Sequence, residues 1–221
     1  MNKSIYSLVL SDDIIAAIDR MAYEQNTSRS NMVDRILAEH ISYVTPEMRI
    51  REISSYITKQ MEDTFQMLTS ARGSMLTFKS PLSFKYKPNI KYQLTLAPDR
   101  PELCGELTVS FRTQNAALLS HLERFFMIWS RAENGRLSRY LPGGTGAEYS
   151  DGHIIRPLFV PLNLPFYSGD DIGAAITDYI NMLDTAIKHY FANWQQQDIL
   201  LFQQLDRLIC SWMSDKNTVI I

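Results

Sequence analysis

Residues Ser4 to Ile41 read S-I-Y-S-L-V-L-S-D-D-I-I-A-A-I-D-R-M-A-Y-E-Q-N-T-S-R-S-N-M-V-D-R-I-L-A-E-H-I, and the spacing of their apolar side chains changes along the way. From Ser4 to Leu10 the bulky residues Tyr6, Leu8 and Leu10 fall on alternate positions, which predicts a half-buried strand. At Ser11 the period becomes helical. Ser11 reads as an N-cap followed by acids in the first turn (Asp12, Asp13), and Ile14, Ile15, Ile18, Met21 and Ala22 form a stripe. Asn26, which tolerates the left-handed conformation, ends that helix. Ser28 then caps a second one whose stripe is Met32, Val33, Ile36, Leu37 and Ile41. A strand and two helices in so few residues bury too little surface alone, so the spacing predicts a partner chain.

This stretch resembles the ribbon-helix-helix DNA-binding proteins of bacteria and archaea (the Arc/MetJ/CopG type). The resemblance covers residues 3–41 and rests on the strand alternation, the Leu10-Ser11-Asp12-Asp13 entry to the first helix and the turn Asn26-Thr27-Ser28-Arg29-Ser30. That turn matches the family's Gly-x-Ser-x-Ser with Asn in place of Gly. The resemblance implies a homodimer whose paired strands form a ribbon in the major groove of double-stranded DNA, with paired dimers, a homotetramer, as a further state. It places Ile5, Ser7 and Val9 at the base-facing positions, with Lys3 one step outward on the same face, and Ser28, Arg29 and Ser30 at a helix N-terminus that clamps a phosphate.

The chemistry of these residues suits the clamp better than the reading of bases. A helix N-terminus presents N–H groups and partial positive charge to a phosphate, and Arg29 adds a bidentate donor. At the base-facing positions only Ser7 can hydrogen-bond; Ile5 and Val9 offer contacts to thymine methyls, and Lys3 is the candidate for the missing polar contact. Residues 1–44 carry four basic side chains and six acidic ones. General affinity for duplex comes mainly from lysine and arginine, so this balance predicts site-dependent binding.

The whole chain has 221 residues and a formal net charge of −2, with 45% hydrophobic and 21% charged residues. That describes a globular protein with room for a second domain and excludes a generally basic nucleic-acid coat. Cys104 and Cys210 are far apart, there is no apolar run of signal-peptide or membrane-spanning length, and a reducing cytoplasm with free thiols is the expectation.

After a break at residues 42–44, Thr45-Pro46-Glu47 opens a helix expected over 45–69, with Ile50, Ile53, Ile57, Met61, Phe65 and Leu68 as its stripe. Four short antiparallel strands are then expected within 74–113, from the alternation of Leu76 and Phe78; Leu82, Phe84 and Tyr86; Ile90, Tyr92, Leu94 and Leu96; and Leu107, Val109 and Phe111. Their polar face groups Lys79, Lys85, Lys87, Lys91 and Arg112 against the single acid Glu106. That is either a second phosphate-contacting surface or the lysine decoration that deters edge association. A helix follows at 114–133, then an irregular loop rich in Gly and Pro at 134–169 in which Ile154-Ile155 and Leu158-Phe159-Val160-Pro161-Leu162 are candidate short strands, and helices at 170–194 and 195–213, the first of these capped at Ser168. Gly143-Gly144-Thr145-Gly146 lacks the Lys-Ser/Thr of a P-loop and reads as a flexible turn.

The sequence therefore predicts an α+β protein: an N-terminal ribbon-helix-helix module (1–44), then an antiparallel sheet covered by helices (45–221) that sets the oligomeric state or senses an effector. The reading is a sequence-specific transcriptional regulator, a repressor in type, with no catalytic residues, no metal and no cofactor. The four histidines share no metal-ligand spacing, and the histidine–cysteine cluster of the family's nickel-responsive branch finds no match. Two alternatives stand beside it. One is an interaction or plasmid-maintenance adaptor in which the module mainly dimerises the chain. The other is a tethered enzyme, which requires Arg136, Arg139, Asp151, His153 and Arg156 to converge.

Overall fold

A computed structural model of the chain describes residues 7–40, 45–68, 74–84, 87–97, 103–111, 113, 115–141, 143–150, 152–160, 167–214 and 219–221. It is an α+β structure with six helices and one six-stranded antiparallel sheet among the described residues. Two compact units divide it, Met1–Arg49 and Ile50–Ile221. The division falls within α3 (Pro46–Met61), slightly beyond the expected boundary at residue 44.

In the first unit, α1 spans Asp12–Glu24 and α2 spans Arg29–His40. The turn between them follows the local chemistry. Asn26 takes φ 51°, and the N–H groups of Asn26 and Thr27 donate to the carbonyls of Tyr23 and Ala22 at 3.2 and 2.9 Å, the pairing of a Schellman C-cap. Ser28 caps α2, its Oγ accepting from the Asn31 N–H at 3.2 Å. Ser11 occupies the N-cap position of α1, but its side chain makes no capping hydrogen bond. Ile18, Ala22 and Met32 form the buried core, with Val33 and Ile36 packed beside them.

The expected N-terminal strand is not seen. Ser7–Leu10 join no ladder, and the first strand of the described chain follows three helices. A strand exists by virtue of pairing, and in a ribbon the pairing edge belongs to a second chain. Residues 1–6, with Lys3 and Ile5, lie outside the described residues.

The second unit is built on β1 (Gln66–Leu68), β2 (Met75–Pro81), β3 (Asn89–Leu96), β4 (Leu103–Phe111), β5 (Glu148–Ser150) and β6 (His153–Phe159), in the order β1-β2-β3-β4-β6-β5. Alternation is strict in β3 and over Leu107–Phe111 of β4, whereas in β2 the neighbours Thr77 and Phe78 are both buried. Ile90, Tyr92, Leu94 and Leu96 are buried, as are Leu107, Val109 and Phe111. They share one core with side chains of α3, α4 (Ala116–Leu137), α5 (Gly169–Asn193) and α6 (Asp198–Met213). Tyr92 ties the sheet to α5 by donating its hydroxyl to Asp184 Oδ1 at 2.8 Å.

Several boundaries differ from the sequence expectation. The helix expected over 45–69 stops at Met61, and its last apolar residues start β1. Leu82 and Phe84 are not a strand. They form the β2–β3 turn, in which the Phe84 N–H donates to the Leu82 carbonyl at 2.9 Å, while Tyr86 lies outside the described residues. The helix expected to end at 133 continues to Leu137. The stretch 134–169 also holds two strands, β6 lying between β4 and β5 in the sheet. The glycine turn inside it is anchored, since the Thr145 N–H donates to Asn134 Oδ1 at 2.9 Å and Thr145 is fully buried. Ser168 and Asp171 close a capping box on α5. Gly169 and Gly173, one turn apart, meet Glu52 and Tyr56 of α3 so closely that an added Cβ would stand 2.5 and 3.0 Å from their side chains.

Candidate nucleic-acid interface

The turn between α1 and α2 is the part of the expected site that the structure describes most fully. The first N–H groups of a helix have no acceptor within it. Ser28 Oγ takes that of Asn31, which leaves those of Arg29 and Ser30 at the end of α2 where its dipole is positive. Arg29, however, does not point its fork outward. Its Nε and Nη2 donate to Asp19 Oδ1 and Oδ2 of α1 at 2.6 and 2.5 Å. The pair is exposed, at 59% and 45% for the two side chains. Arg29 holds the Asp19 carboxyl below its ordinary range, and the guanidinium is raised in return, chiefly through that hydrogen bonding.

Of the base-facing set, Ser7 and Val9 are exposed, Val9 completely; Lys3 and Ile5 lie outside the described residues. Around them the first unit exposes Leu8, Leu10, Ile14, Met21 and Leu37. The helical stripes read from the sequence thus split in two. Ile18, Ala22 and Met32 close the unit's own core, whereas Ile14, Met21 and Leu37, read as part of the same stripes, stand in solvent.

The second basic surface is weaker than its composition suggests. Lys79 and Lys91 are direct cross-strand partners on the polar face and are half-buried, and Lys91 Nζ donates to Gln93 Oε1 at 3.1 Å. Lys87 sits in the β2–β3 turn with φ 43°, exposed. Lys85 and Arg112 lie outside the described residues. Strand β6 extends that face beyond β4, and Glu148 of β5, paired with Ile155, adds a second acid to Glu106.

Of the residues required by an enzymatic reading, Arg136, Arg139, His153 and Arg156 are described. Arg136 donates to Asp206 of α6 at 2.6 and 2.5 Å, Arg139 lies over the Tyr140 ring, and His153 begins β6 in register with Ser110 and Ser150. Arg156 is buried in the core, and Asp151 lies outside the described residues. His189 pairs with Gln204 at 2.8 Å. His121 packs against Trp194 with ring centroids 4.5 Å apart, and burial, with Arg124 adding to it, keeps its pKa below the ordinary value. Among the described residues no three His, Cys, Asp or Glu side chains are grouped to hold a metal, and no helix is long and apolar enough to cross a membrane. Cys104 is buried and Cys210 half-buried, and both are unbridged.

Asp19 and Glu133 are residues that sequence reasoning passed over, and Arg156, named there only for the enzymatic alternative, is Glu133's buried partner. Asp19 gave no signal, because its partner lies across a turn. Arg156 did give one, since it shares the parity of Ile154 and Leu158 in β6 and so had to point inward. Comparison with protein-family models, curated proteins and solved structures returns no match.

Proposed function

We propose that the chain is a sequence-specific DNA-binding regulator, a repressor in type, that acts as a homodimer. Residues 4–10 of two copies pair into a ribbon for the major groove, and the second unit sets higher assembly, such as a tetramer, or takes an effector. The observation that carries this reading is the first unit's incomplete core. Its buried apolar residues are Ile18, Ala22, Met32 and the small Ala38, while Leu8, Leu10, Ile14, Met21 and Leu37 are left exposed, more apolar surface than a stable monomeric unit leaves in water. The left-handed Asn26, the Ser28 cap and the free N–H groups at Arg29 and Ser30 support a phosphate contact at the same unit.

Fluorescence anisotropy against duplex from upstream of the chain's own gene, beside a scrambled duplex and an Arg29→Ala variant, tests it. Preferential binding that falls steeply with salt and weakens in the variant is the expected result. Equal, weak binding to both duplexes by both proteins removes the reading.

A second reading has its own observation. Asp19 already engages the Arg29 fork, and residues 1–44 carry more acid than base, which favours an adaptor whose module only dimerises the chain. In that case Ile14→Asp abolishes dimerisation in sedimentation experiments while no duplex is bound by either protein.

A further inference from the structure

Glu133 of α4, Arg156 of β6 and Tyr179 of α5 meet in the interior of the second unit, each at most 1% exposed. Arg156 Nε donates to Glu133 Oε1 at 3.3 Å, and the Tyr179 hydroxyl donates to the same oxygen at 2.7 Å. The guanidinium carbon lies 5.0 Å from the centroid of the Tyr179 ring. Arg156 Nη1 donates to the Pro157 carbonyl, and Nη2 donates to the backbone carbonyl of Ile221 at 2.7 Å. Glu133 Oε2, also buried, has no hydrogen-bond partner among the described residues.

A buried ion pair is a poor stabiliser in itself, since apolar side chains of similar volume often do as well. What Arg156 does that an apolar residue cannot is to reach the chain beyond α6. Val219–Ile221 belong to no helix or strand. Ile221 is 1% exposed and Val219 packs against the same core. Ordering three residues costs conformational entropy of about the same size as one charge-assisted hydrogen bond and one buried isoleucine return. Release would also let water reach Arg156 Nη2, which lowers its cost further.

We propose that Val219–Ile221 is a strap that docks reversibly on Arg156, and that its release opens the Arg156 guanidinium to water while the sheet stays folded. The balance of terms places the strap among the segments that open locally, well below the free energy of global unfolding. The inference is independent of DNA binding.

Hydrogen–deuterium exchange of the full chain tests it. The strap amides are expected to exchange at least roughly a hundredfold faster than the α5 amides around Tyr179, as a local opening requires. Arg156→Met should speed the strap by a further factor of roughly ten while β3 and β4 keep their protection. Strap amides protected as strongly as α5, or unmoved by Arg156→Met, overturn the proposal. Should Arg156→Met loosen the sheet as well, Ile221→Ala leaves the ion pair intact and decides: faster strap exchange with a protected sheet supports the strap, and unchanged exchange overturns it.

Discussion

Arg29 clasps Asp19 side-on, Nε to Oδ1 at 2.6 Å and Nη2 to Oδ2 at 2.5 Å, so the cation at the start of α2 is held by an acid of α1. A carboxylate and a phosphate oxygen compete for the same fork geometry. On the proposed DNA-binding reading, Asp19→Asn removes that competitor and one negative charge at the interface. Its affinity for the native duplex is expected to rise, and the slope of log K against log salt to steepen by about one, the signature of one further phosphate contact. Anisotropy over a salt series reads both, and an unchanged slope in Asp19→Asn would show that Arg29 does not meet a phosphate.

Glu133 and Arg156 are expected to be strongly non-additive. Glu133→Leu alone leaves a guanidinium buried with no countercharge and costs about 3–5 kcal/mol. The double variant Glu133→Leu, Arg156→Met removes both charges and recovers most of that loss in a urea titration. Additive losses would mean that each residue acts through packing alone.

The Arg136–Asp206 pair joins α4 to α6 and gives a pH dependence of definite sign. Hydrogen bonding from Arg136 depresses the Asp206 carboxyl below its ordinary value. Its contribution is therefore present in full above the unfolded-state value near 3.8 and is lost as pH falls through the lower folded value. Asp206→Asn should flatten the thermal-stability profile in that acidic window and leave the shape of the profile unchanged above about pH 5–6, roughly two units above the ordinary carboxylate value.

Gly105 lies at the irregularity between β4 and β6. A Cβ there would stand 2.5 Å from the Thr95 carbonyl oxygen, which is backbone and cannot rotate away. Gly105→Ala is expected to cost about 1–3 kcal/mol through overpacking, read as a lowered melting temperature. Gly135, with nothing within 4 Å of its added Cβ and a place inside α4, is the contrast. Gly135→Ala should raise stability by about 0.4–1 kcal/mol.

Much of the architecture was legible because its signals are local. Asn26 and Ser28 marked the α1–α2 turn, Ser168 and Asp171 marked the start of α5, and the alternation at Ile90–Leu96 and Leu107–Phe111 marked β3 and β4. In the stretch 134–169 the candidate strands at Ile154-Ile155 and Leu158-Phe159 are parts of one strand, β6, while β5 gave no signal because the glycines and prolines around it are turn residues. They flank short strands here, and Ile154 and Leu158 reveal their facing only once β6 is laid against β4. In the helix expected over 45–69, Phe65 and Leu68 kept the apolar spacing while the chain had already changed conformation, since periodicity alone does not separate a helix end from a short strand.

By itself the sequence determined where α1, α2, α5, β3 and β4 lie and which of their faces carry the apolar residues, because dihedral preference, capping and side-chain period act within a few residues. Only the tertiary structure decided partners. It set Arg29 on Asp19, placed β6 between β4 and β5, and brought Glu133, Arg156, Tyr179 and Ile221 together. Such pairings depend on where distant segments come to lie, and the desolvation that makes Arg156 and Glu133 need each other arises only once the core has closed around them.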